Sequence, residues 1–259
     1  MSNTLIAMAV HDTDENGRTE YTERTIEESL LTLDPWRKAW IIDNGSCEKT
    51  KRLLAKYERG GKINLITLPE NIGTAKAVNL AWRHRAPGQH CIKMDNDVVI
   101  QSTTWIDELE ECIYRDPRIG IVGLKRKDCW ENPQHTDPFY RSQLVTLPHV
   151  AGEPWVNVEI VNHVMGTCQL YNSALLDKIG YLYQPRLYGF DDALAAVRCK
   201  VAGFYSCFLP HIRIDHIDRG DTAYQGWKEK HAGEDMDEYN RLKNGYISGT
   251  IDIYSDYTW

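Results

Sequence analysis

The sequence lacks a long hydrophobic run and an excess of basic residues. No segment approaches the roughly 18 apolar residues that a membrane helix needs, so we expect any membrane contact to be peripheral. The formal net charge of -7 argues against a surface built mainly to hold nucleic acid or an anionic bilayer. Both kinds of surface are therefore unexpected, although local basic patches remain compatible with this charge.

The sequence also lacks any closely spaced cysteine pair and any signal-peptide pattern. Its 7 cysteines are scattered and contain no C-x-x-C, which predicts reduced thiols and neither a disulfide framework nor a zinc site. The first residues contain no basic region and only a short apolar stretch. We therefore expect a cytoplasmic protein.

Strand-like and helix-like patterns alternate along the first half of the chain. With 259 residues, 42% hydrophobic and 26% charged, the chain can form one large α/β domain or two small ones. Such alternation is typical of βαβ units around a mainly parallel central sheet flanked by helices. The predicted strands are Leu5–Val10, Ala39–Ile42, Ile63–Leu68 and His90–Met94. The predicted helices cover Thr22–Leu33, a segment from a Ser46 cap to about Arg59, and a segment after Gly73.

Polar residues follow each of these predicted strands, at Asp12, Asp43, Asn71 and Asp95. In doubly wound sheets, ligands bind in the crevice outside the carboxyl ends of the strands. We therefore expect these residues to converge on one crevice.

Two carboxylates, Asp95 and Asp97, follow the apolar strand that contains Cys91 and Ile92. Acids one residue apart repel each other unless a positive charge lies between them. A divalent cation such as Mg²⁺ or Mn²⁺ takes oxygen ligands and commonly shares its shell with phosphate oxygens. The pair indicates a metal site for a phosphate-bearing substrate, or else a solvated turn before the next predicted strand, Val98–Ile100.

The second half of the chain is less regular. Residues Lys125 to Pro154 are rich in proline, histidine, tryptophan and charge, which predicts a long functional loop or lid and not a linker. A second acid pair, Asp191-Asp192, opens a predicted helix through Lys200. The other predicted elements are strands at Ile119–Gly123, Phe204–Leu209 and Ile212–Ile214, and helices at about Trp105–Arg115 and at Ser173–Ile179. We also expect order, of no assigned type, at Val156–Val164. From Arg219 onward we predict a tail without a clear period.

Several motifs follow one another in a fixed order. They are Asp43-Asn44-Gly45-Ser46, Asn71-x-Gly73 with Asn79 downstream, Asp95-x-Asp97, Gly166, Asp191-Asp192, Arg198, Ala202-Gly203-Phe204 and His216. In order and spacing this set resembles the family 2 glycosyltransferases with the Rossmann-like GT-A fold, over roughly Leu5 to Asp218. The resemblance implies inverting transfer of a sugar from a nucleotide-sugar donor, with a UDP-sugar expected and Mn²⁺ or Mg²⁺ as the cofactor. It also implies a GT-A domain over 1–218, with a donor half 1–123 and an acceptor half 124–218, and a C-terminal extension over 219–259.

The resemblance implies roles for residues of the donor half. Asp43 would bind the nucleobase, while Asn71 and Gly73 would lie along the nucleotide. Asp95 would lie nearer the ribose and could also contact the metal. Neighbouring residues expected on the donor side are His11, Asp12, Lys76 and Asn96. His11 could stack on the base or lie on the surface, because the turn after the first strand departs from the family's usual Pro-Thr-Tyr-Asn.

The resemblance also implies the metal ligands and the base. Asp97 would reach the cation on the diphosphate, and His216 would complete the metal shell. The acceptor hydroxyl must lose its proton as it attacks, which requires a positioned carboxylate. Asp192 is the expected base, because it matches the second acid of the family's Glu-Asp pair. Asp191 would orient the acceptor or the base; a register shift of one residue would make Asp191 the base.

Two other functions are compatible with a metal and two acids on such a sheet. A nucleotidyltransferase normally has a glycine-rich, basic phosphate loop after the first strand, whereas this chain has His11-Asp12-Thr13-Asp14-Glu15 there. A non-catalytic domain could bind nucleotide or carbohydrate in the same crevice. The acceptor stays open among a glycan, a lipid-linked sugar, a protein and a modified nucleic acid base.

Overall fold

The computed structural model describes residues 4–128, 142–218, 226 and 233–257. The strands are β1 Thr4–Val10, β2 Trp40–Asn44, β3 Asn64–Leu68, β4 His90–Met94, β5 Val98–Ile100, β6 Ile119–Arg126, β7 Gln143–Thr146, β8 Asn157–Val161, β9 Cys168–Tyr171 and β10 Tyr205–His216. The helices are α1 Thr19–Thr25, continued by a π-helix over Ile26–Leu30, α2 Glu48–Arg59, α3 Thr74–Trp82, α4 Trp105–Arg115, α5 Ser173–Ile179, α6 Asp191–Val201 and α7 Met236–Ser248.

The described strands form one sheet in the order β3-β2-β1-β4-β9-β6-β10-β8-β7, and β5 pairs with β10. β3, β2, β1 and β4 are parallel to one another, as βαβ units require. β9 runs antiparallel between β4 and β6, while β10 is parallel to β6 and antiparallel to β8. The predicted α/β class is confirmed, and the four predicted polar strand ends lie at one edge of the parallel half.

Helices cover both faces of the sheet. Alternate residues of β1 point to opposite sides, so that Ile6 and Met8 enter one apolar core and Leu5 and Ala7 enter the other. The first core also contains residues of α2 and α4, such as Leu54 and Ile106. The second contains residues of α3, α5 and α6, such as Val78, Leu175 and Ala195. The result is a three-layer arrangement of helices on both sides of the sheet. In such folds ligands bind outside the carboxyl ends of the parallel strands.

Several predicted elements differ from the observed ones. The segment predicted as one long loop contains the edge strand β7, and residues 129–141 of that loop lie outside the described residues. Phe204–Leu209 and Ile212–Ile214 belong to the single strand β10, whose pairing with β6 is irregular between Leu209 and Arg213. Ser46 does not cap α2, because its hydroxyl donates to the carbonyl of Val10 and Cys47 occupies the cap position.

The C-terminal segment, predicted without a clear period, contains the helix α7. The helix was missed because only a narrow stripe of it is buried. Leu242 and Tyr246 pack against Leu194 of α6, whereas the rest of α7 is largely polar. No helix in the described ranges is long and apolar enough to cross a bilayer.

Candidate active site

Hydrogen bonds join the ends of the parallel strands. At the end of β2, Asn44 donates from Nδ2 to Oδ1 of Asn71, 2.9 Å away, and accepts from the Ile72 amide. The Nδ1 atom of His11, after β1, lies 2.9 Å from the Asn44 carbonyl oxygen. These hydrogen bonds join the segments that follow β1, β2 and β3.

Asp12 and Asn96, which follow β1 and β4, are hydrogen-bonded to each other. The carboxylate of Asp12 is fully buried and accepts hydrogen bonds from Thr22 at 2.7 Å and Thr50 at 3.1 Å. Asn96 donates to the other carboxylate oxygen at 2.9 Å. Burial raises the pKa of Asp12, and the hydroxyl hydrogen bonds oppose that shift. These contacts engage both oxygens, so Asp12 and Asn96 connect the segments after β1 and β4 to α1 and α2.

Asp43 has one carboxylate oxygen engaged and one without a partner. Oδ1 accepts a hydrogen bond from the Ser46 amide at 2.8 Å, whereas the buried Oδ2 has no hydrogen-bond partner among the described residues. A buried, unpaired carboxylate oxygen is costly unless a ligand supplies a donor. Asp43 is therefore positioned to accept a hydrogen bond from a bound group.

Gly73 holds the start of α3 against the loop that precedes the second acid pair. Its backbone has a φ of +90°, and a Cβ there would lie 2.8 Å from the Arg186 carbonyl oxygen. Gln184, in the same loop, accepts a hydrogen bond from the Ala75 amide at 3.1 Å. Lys76 extends from α3 toward the ring of Tyr257, with its Nζ 5.0 Å from the ring centre. The start of α3 and the C-terminal segment are thus in contact.

Asp97, His216 and Asp218 form a cluster suited to a metal ion. Antiparallel pairing of β5 with β10 places His216 opposite Val98, which brings its Nε2 within 3.4 Å of Asp97 Oδ2. One ligand atom from each of the three lies within 4.8 Å of the other two. Burial alone would raise the pKa of Asp97, but His216 and the guanidinium of Arg18 hold it well below its usual range.

Two observations fit this cluster to a divalent cation. The carboxylate and imidazole donors suit Mn²⁺, and carboxylates also suit Mg²⁺. In addition, Asp97 Oδ1 is buried and has no hydrogen-bond partner among the described residues. Asp95, expected as a further metal contact, lies outside the cluster and pairs with Lys93 instead.

Lys93 connects the first acid pair to the second. Its buried ammonium lies 3.1 Å from Asp95 Oδ1, 3.3 Å from Asp191 Oδ2 and 2.9 Å from the Gly166 carbonyl oxygen. Burial would lower the pKa of Lys93, but the surrounding carboxylates raise it well above its usual value. Burial raises the pKa of Asp191, and the positive charge of Lys93 opposes this rise. A single positive charge therefore fixes residues from β4, α6 and the loop before β9.

Asp192 is held by a histidine and two backbone amides. His163 Nε2 lies 3.1 Å from Asp192 Oδ2, which also accepts a hydrogen bond from the Gly166 amide at 2.8 Å. The Ala193 amide donates to Oδ1 at 2.7 Å. Although burial opposes it, the charge of His163 lowers the pKa of Asp192 to about 2. The same pairing raises the pKa of His163 despite its burial. Asp192 is thus ionised and oriented at neutral pH.

The C-terminal segment supports the helix that carries these acids. Phe190, directly before Asp191, has left-handed backbone with a φ of +64° and stacks on Tyr239 of α7 with ring centres 4.6 Å apart. The buried Arg198 donates to the carbonyls of Tyr181 at 2.8 Å and Ile253 at 2.6 Å. These contacts position α6. Two of the partners, Tyr239 and Ile253, lie after the last of the sequence motifs, His216.

The sequence profile of glycosyl transferase family 2 matches residues 16–180, well over half of the chain. The chain belongs to glycosyl transferase family 2. Family membership confirms the resemblance found in the sequence, and it favours a glycosyltransferase over a nucleotidyltransferase. Comparison with curated protein sequences gives no match.

Solved structures of glycosyltransferases share the fold. The mannosyltransferase PcManGT from Pyrobaculum calidifontis, in complex with GDP-Man and Mn²⁺, is 17% identical with a TM-score of 0.62 over 86% of this chain and 59% of that one. GalNAc-T7 with UDP, GalNAc and Mn²⁺ is 13% identical, with a TM-score of 0.61 over 83% and 44% of the two chains. TarS residues 1–349 from S. aureus is 17% identical, with a TM-score of 0.59 over 95% and 65%. The chain thus spans less than two thirds of each of these structures.

Four residues of the site were not predicted from the sequence: Arg18, Lys93, His163 and Asp218. Asp218 repeats with His216 the one-residue spacing of Asp95 and Asp97, and that spacing could have indicated it. Lys93 is a charged residue within an apolar strand, which is rare unless the charge is paired. Arg18 and His163 follow no pattern in the sequence.

Proposed function

We propose that the protein is a metal-dependent inverting glycosyltransferase that uses a UDP-sugar donor and an acceptor hydroxyl. The observation that carries this proposal is the cluster of Asp97, His216 and Asp218, together with the ionised and oriented Asp192. The two groups meet the two requirements of the reaction, which are neutralisation of the leaving diphosphate and removal of the acceptor proton.

Asp97, His216 and Asp218 are the residues that would hold the cation. A bound Mn²⁺ or Mg²⁺ supplies Lewis-acid stabilisation for a diphosphate leaving group. Asp95 is partly exposed and restrained by Lys93, which leaves it available to a ribose hydroxyl at the crevice. The chain would orient the donor through the cation that these three residues hold, through Asp95 and through the loop that contains Gly73.

Asp192 is the proposed base. Its side chain is 23% exposed, compared with 10% for that of Asp191. Asp191 is also paired with Lys93. Asp192 is therefore the more accessible of the two carboxylates, and His163 orients it. Asp192 takes the acceptor proton as the hydroxyl oxygen bonds to the anomeric carbon and the bond from that carbon to the diphosphate breaks. A single displacement of this kind inverts the configuration of the sugar.

Asp43 is the proposed contact to the nucleobase and supports uridine. Its Oδ1 is occupied by the Ser46 amide, and only Oδ2 is free to accept. Uracil offers one imide N–H, which matches one free oxygen. Guanine offers two adjacent donors, and a carboxylate binds such a pair best with both oxygens.

A transfer assay with UDP-sugars and GDP-sugars, each with Mn²⁺, Mg²⁺ or EDTA, tests the function. We expect turnover or slow donor hydrolysis with UDP-sugars and metal, and none with EDTA. Proton NMR of the product should show the opposite anomeric configuration to that of the donor. Retained configuration would contradict the single displacement.

The Asp192→Asn and Asp191→Asn variants test the choice of base. Asp192→Asn should abolish transfer and leave UDP binding largely intact, because the carboxylate contacts the acceptor and not the nucleotide. Asp191→Asn should retain measurable transfer. The reverse pattern would make Asp191 the base, and equal loss of binding and transfer in Asp192→Asn would remove it from a catalytic role.

A further inference from the structure

Arg18 bridges two of the residues in the metal cluster. Its Nη2 donates to Asp97, and its Nη1 donates to Asp218 Oδ2 at 2.7 Å. The Arg18 side chain is 4% exposed, and the two carboxylates are 7% and 5% exposed. The guanidinium is therefore a buried counter-ion for the acids that would hold the cation.

A guanidinium and a divalent cation compete for the same carboxylates. Charge-assisted hydrogen bonds of this kind are strong, but a metal ligated by both acids neutralises the charge that holds Arg18, and its own positive charge repels the guanidinium. The backbone around Arg18 is anchored, since its carbonyl accepts from Tyr21 and Thr22 at the start of α1. Displacement of the guanidinium by a metal therefore moves the Arg18 side chain and leaves the backbone of the loop in place. The ring of Tyr21, 5.4 Å from the guanidinium carbon, lies beside this side chain.

We propose that Arg18 neutralises Asp97 and Asp218 in the free protein and, when metal and donor bind, transfers its guanidinium to the donor diphosphate. The displaced guanidinium would lie next to the donor diphosphate. Its planar set of N–H donors can bind two phosphate oxygens at once, as it can bind two carboxylate oxygens. This inference rests on the proposed function. It assigns Arg18 two partners in succession, and each has its own measurable consequence.

Removal of Arg18 should change two affinities in opposite directions. Arg18→Met should bind Mn²⁺ alone about tenfold more tightly than the unmodified protein, because the competing donor is gone. At saturating Mn²⁺ it should bind UDP about tenfold more weakly, because a charged phosphate contact is lost. Isothermal titration with MnCl₂, and then with UDP in excess Mn²⁺, measures both quantities. A residue with only a structural role would not produce this reversal of sign.

Two further variants control for charge and for folding. Lys127→Met removes an exposed positive charge whose Nζ lies 3.6 Å from Asp215, the neighbour of His216, without touching the three ligands. It should leave both affinities within about twofold, as expected for a screened surface charge. Arg18→Lys keeps the charge but loses the fork, so it should fall between Arg18→Met and the unmodified protein. It also replaces Arg18→Met if that variant does not fold.

The outcomes separate this inference from the proposed function. Tighter Mn²⁺ binding together with weaker UDP binding supports the exchange. Mn²⁺ affinity that is unchanged or reduced in the Arg18 variants overturns it, as does unchanged UDP affinity. If the unmodified protein binds neither UDP nor GDP with any divalent metal, the proposed function fails, and the inference fails with it.

Discussion

Replacement of Lys93 by methionine should destabilise the protein and stop transfer. Methionine has a similar volume but leaves Asp191 buried without its counter-ion, and Asp95 also loses its partner. Breaking a buried ion pair by removing one partner costs about 3–5 kcal/mol. Domains are commonly stable by about 5–15 kcal/mol, so the variant should lose a large fraction of its free energy of unfolding. Urea denaturation followed by tryptophan fluorescence at pH 7 measures the loss.

The loss should depend on pH with a predictable sign. Without Lys93, the pKa of Asp191 rises further above its unfolded value. A raised carboxyl pKa destabilises the fold above the unfolded pKa of about 4, and the penalty disappears as the pH falls below that value. The difference in unfolding free energy between Lys93→Met and the unmodified protein should therefore shrink between about pH 6 and pH 3. The double variant Lys93→Met/Asp191→Asn should regain much of the stability at pH 7, because it removes the uncompensated charge.

Lys125→Met is a matched control for this prediction. Lys125 forms a second buried pair, with its Nζ 2.8 Å from Glu159 Oε2, on the opposite half of the sheet. Its removal should also lower the free energy of unfolding, but donor binding and transfer should persist. An unfolding free energy for Lys93→Met within about 1 kcal/mol of the unmodified value would refute the reasoning, because a broken buried pair costs more.

Three further substitutions test other parts of the site. Asp218→Asn should weaken Mn²⁺ binding at least about tenfold in calorimetry, since a neutral amide is a poorer ligand; unchanged affinity would remove Asp218 from the metal shell. Gly73→Ala should cost about 1–3 kcal/mol in urea unfolding and weaken UDP binding, because its φ of +90° and the carbonyl 2.8 Å from the new Cβ strain the loop; normal UDP affinity would contradict this. Arg198→Met leaves buried carbonyls without a donor and should cost about 3 kcal/mol or more; a smaller loss would show that water replaces the guanidinium.

The sequence predicts the parallel half of the fold well because local patterns determine it. Each strand of that half is short and largely apolar, and a polar residue lies at its end or soon after it. His90–Met94 and Ser173–Ile179 are predicted with the observed bounds. β9 and α7 were not predicted. The burial of β9 comes from both neighbouring strands, and α7 is stabilised mainly by its contacts with α6.

Some residues of the site can also be predicted from the sequence, and others cannot. Asp97 and His216 can be predicted because they lie in motifs with an order and spacing, and the structure brings them together. The partners that set their chemistry come from segments without motifs. Arg18 is 79 residues away from Asp97 in the chain, and only the packing of α1 against the strand ends brings it to the acid. Such long-range charge partners leave no periodic signal in the sequence.

Calorimetric titration of UDP in the presence of Mn²⁺ or EDTA tests the central claim most directly. The account predicts binding with Mn²⁺, its loss with EDTA, and the loss of the Mn²⁺ effect in Asp97→Asn. UDP binding of equal strength with Mn²⁺ and EDTA, or a Mn²⁺ effect that survives in Asp97→Asn, would contradict a metal site formed by Asp97, His216 and Asp218.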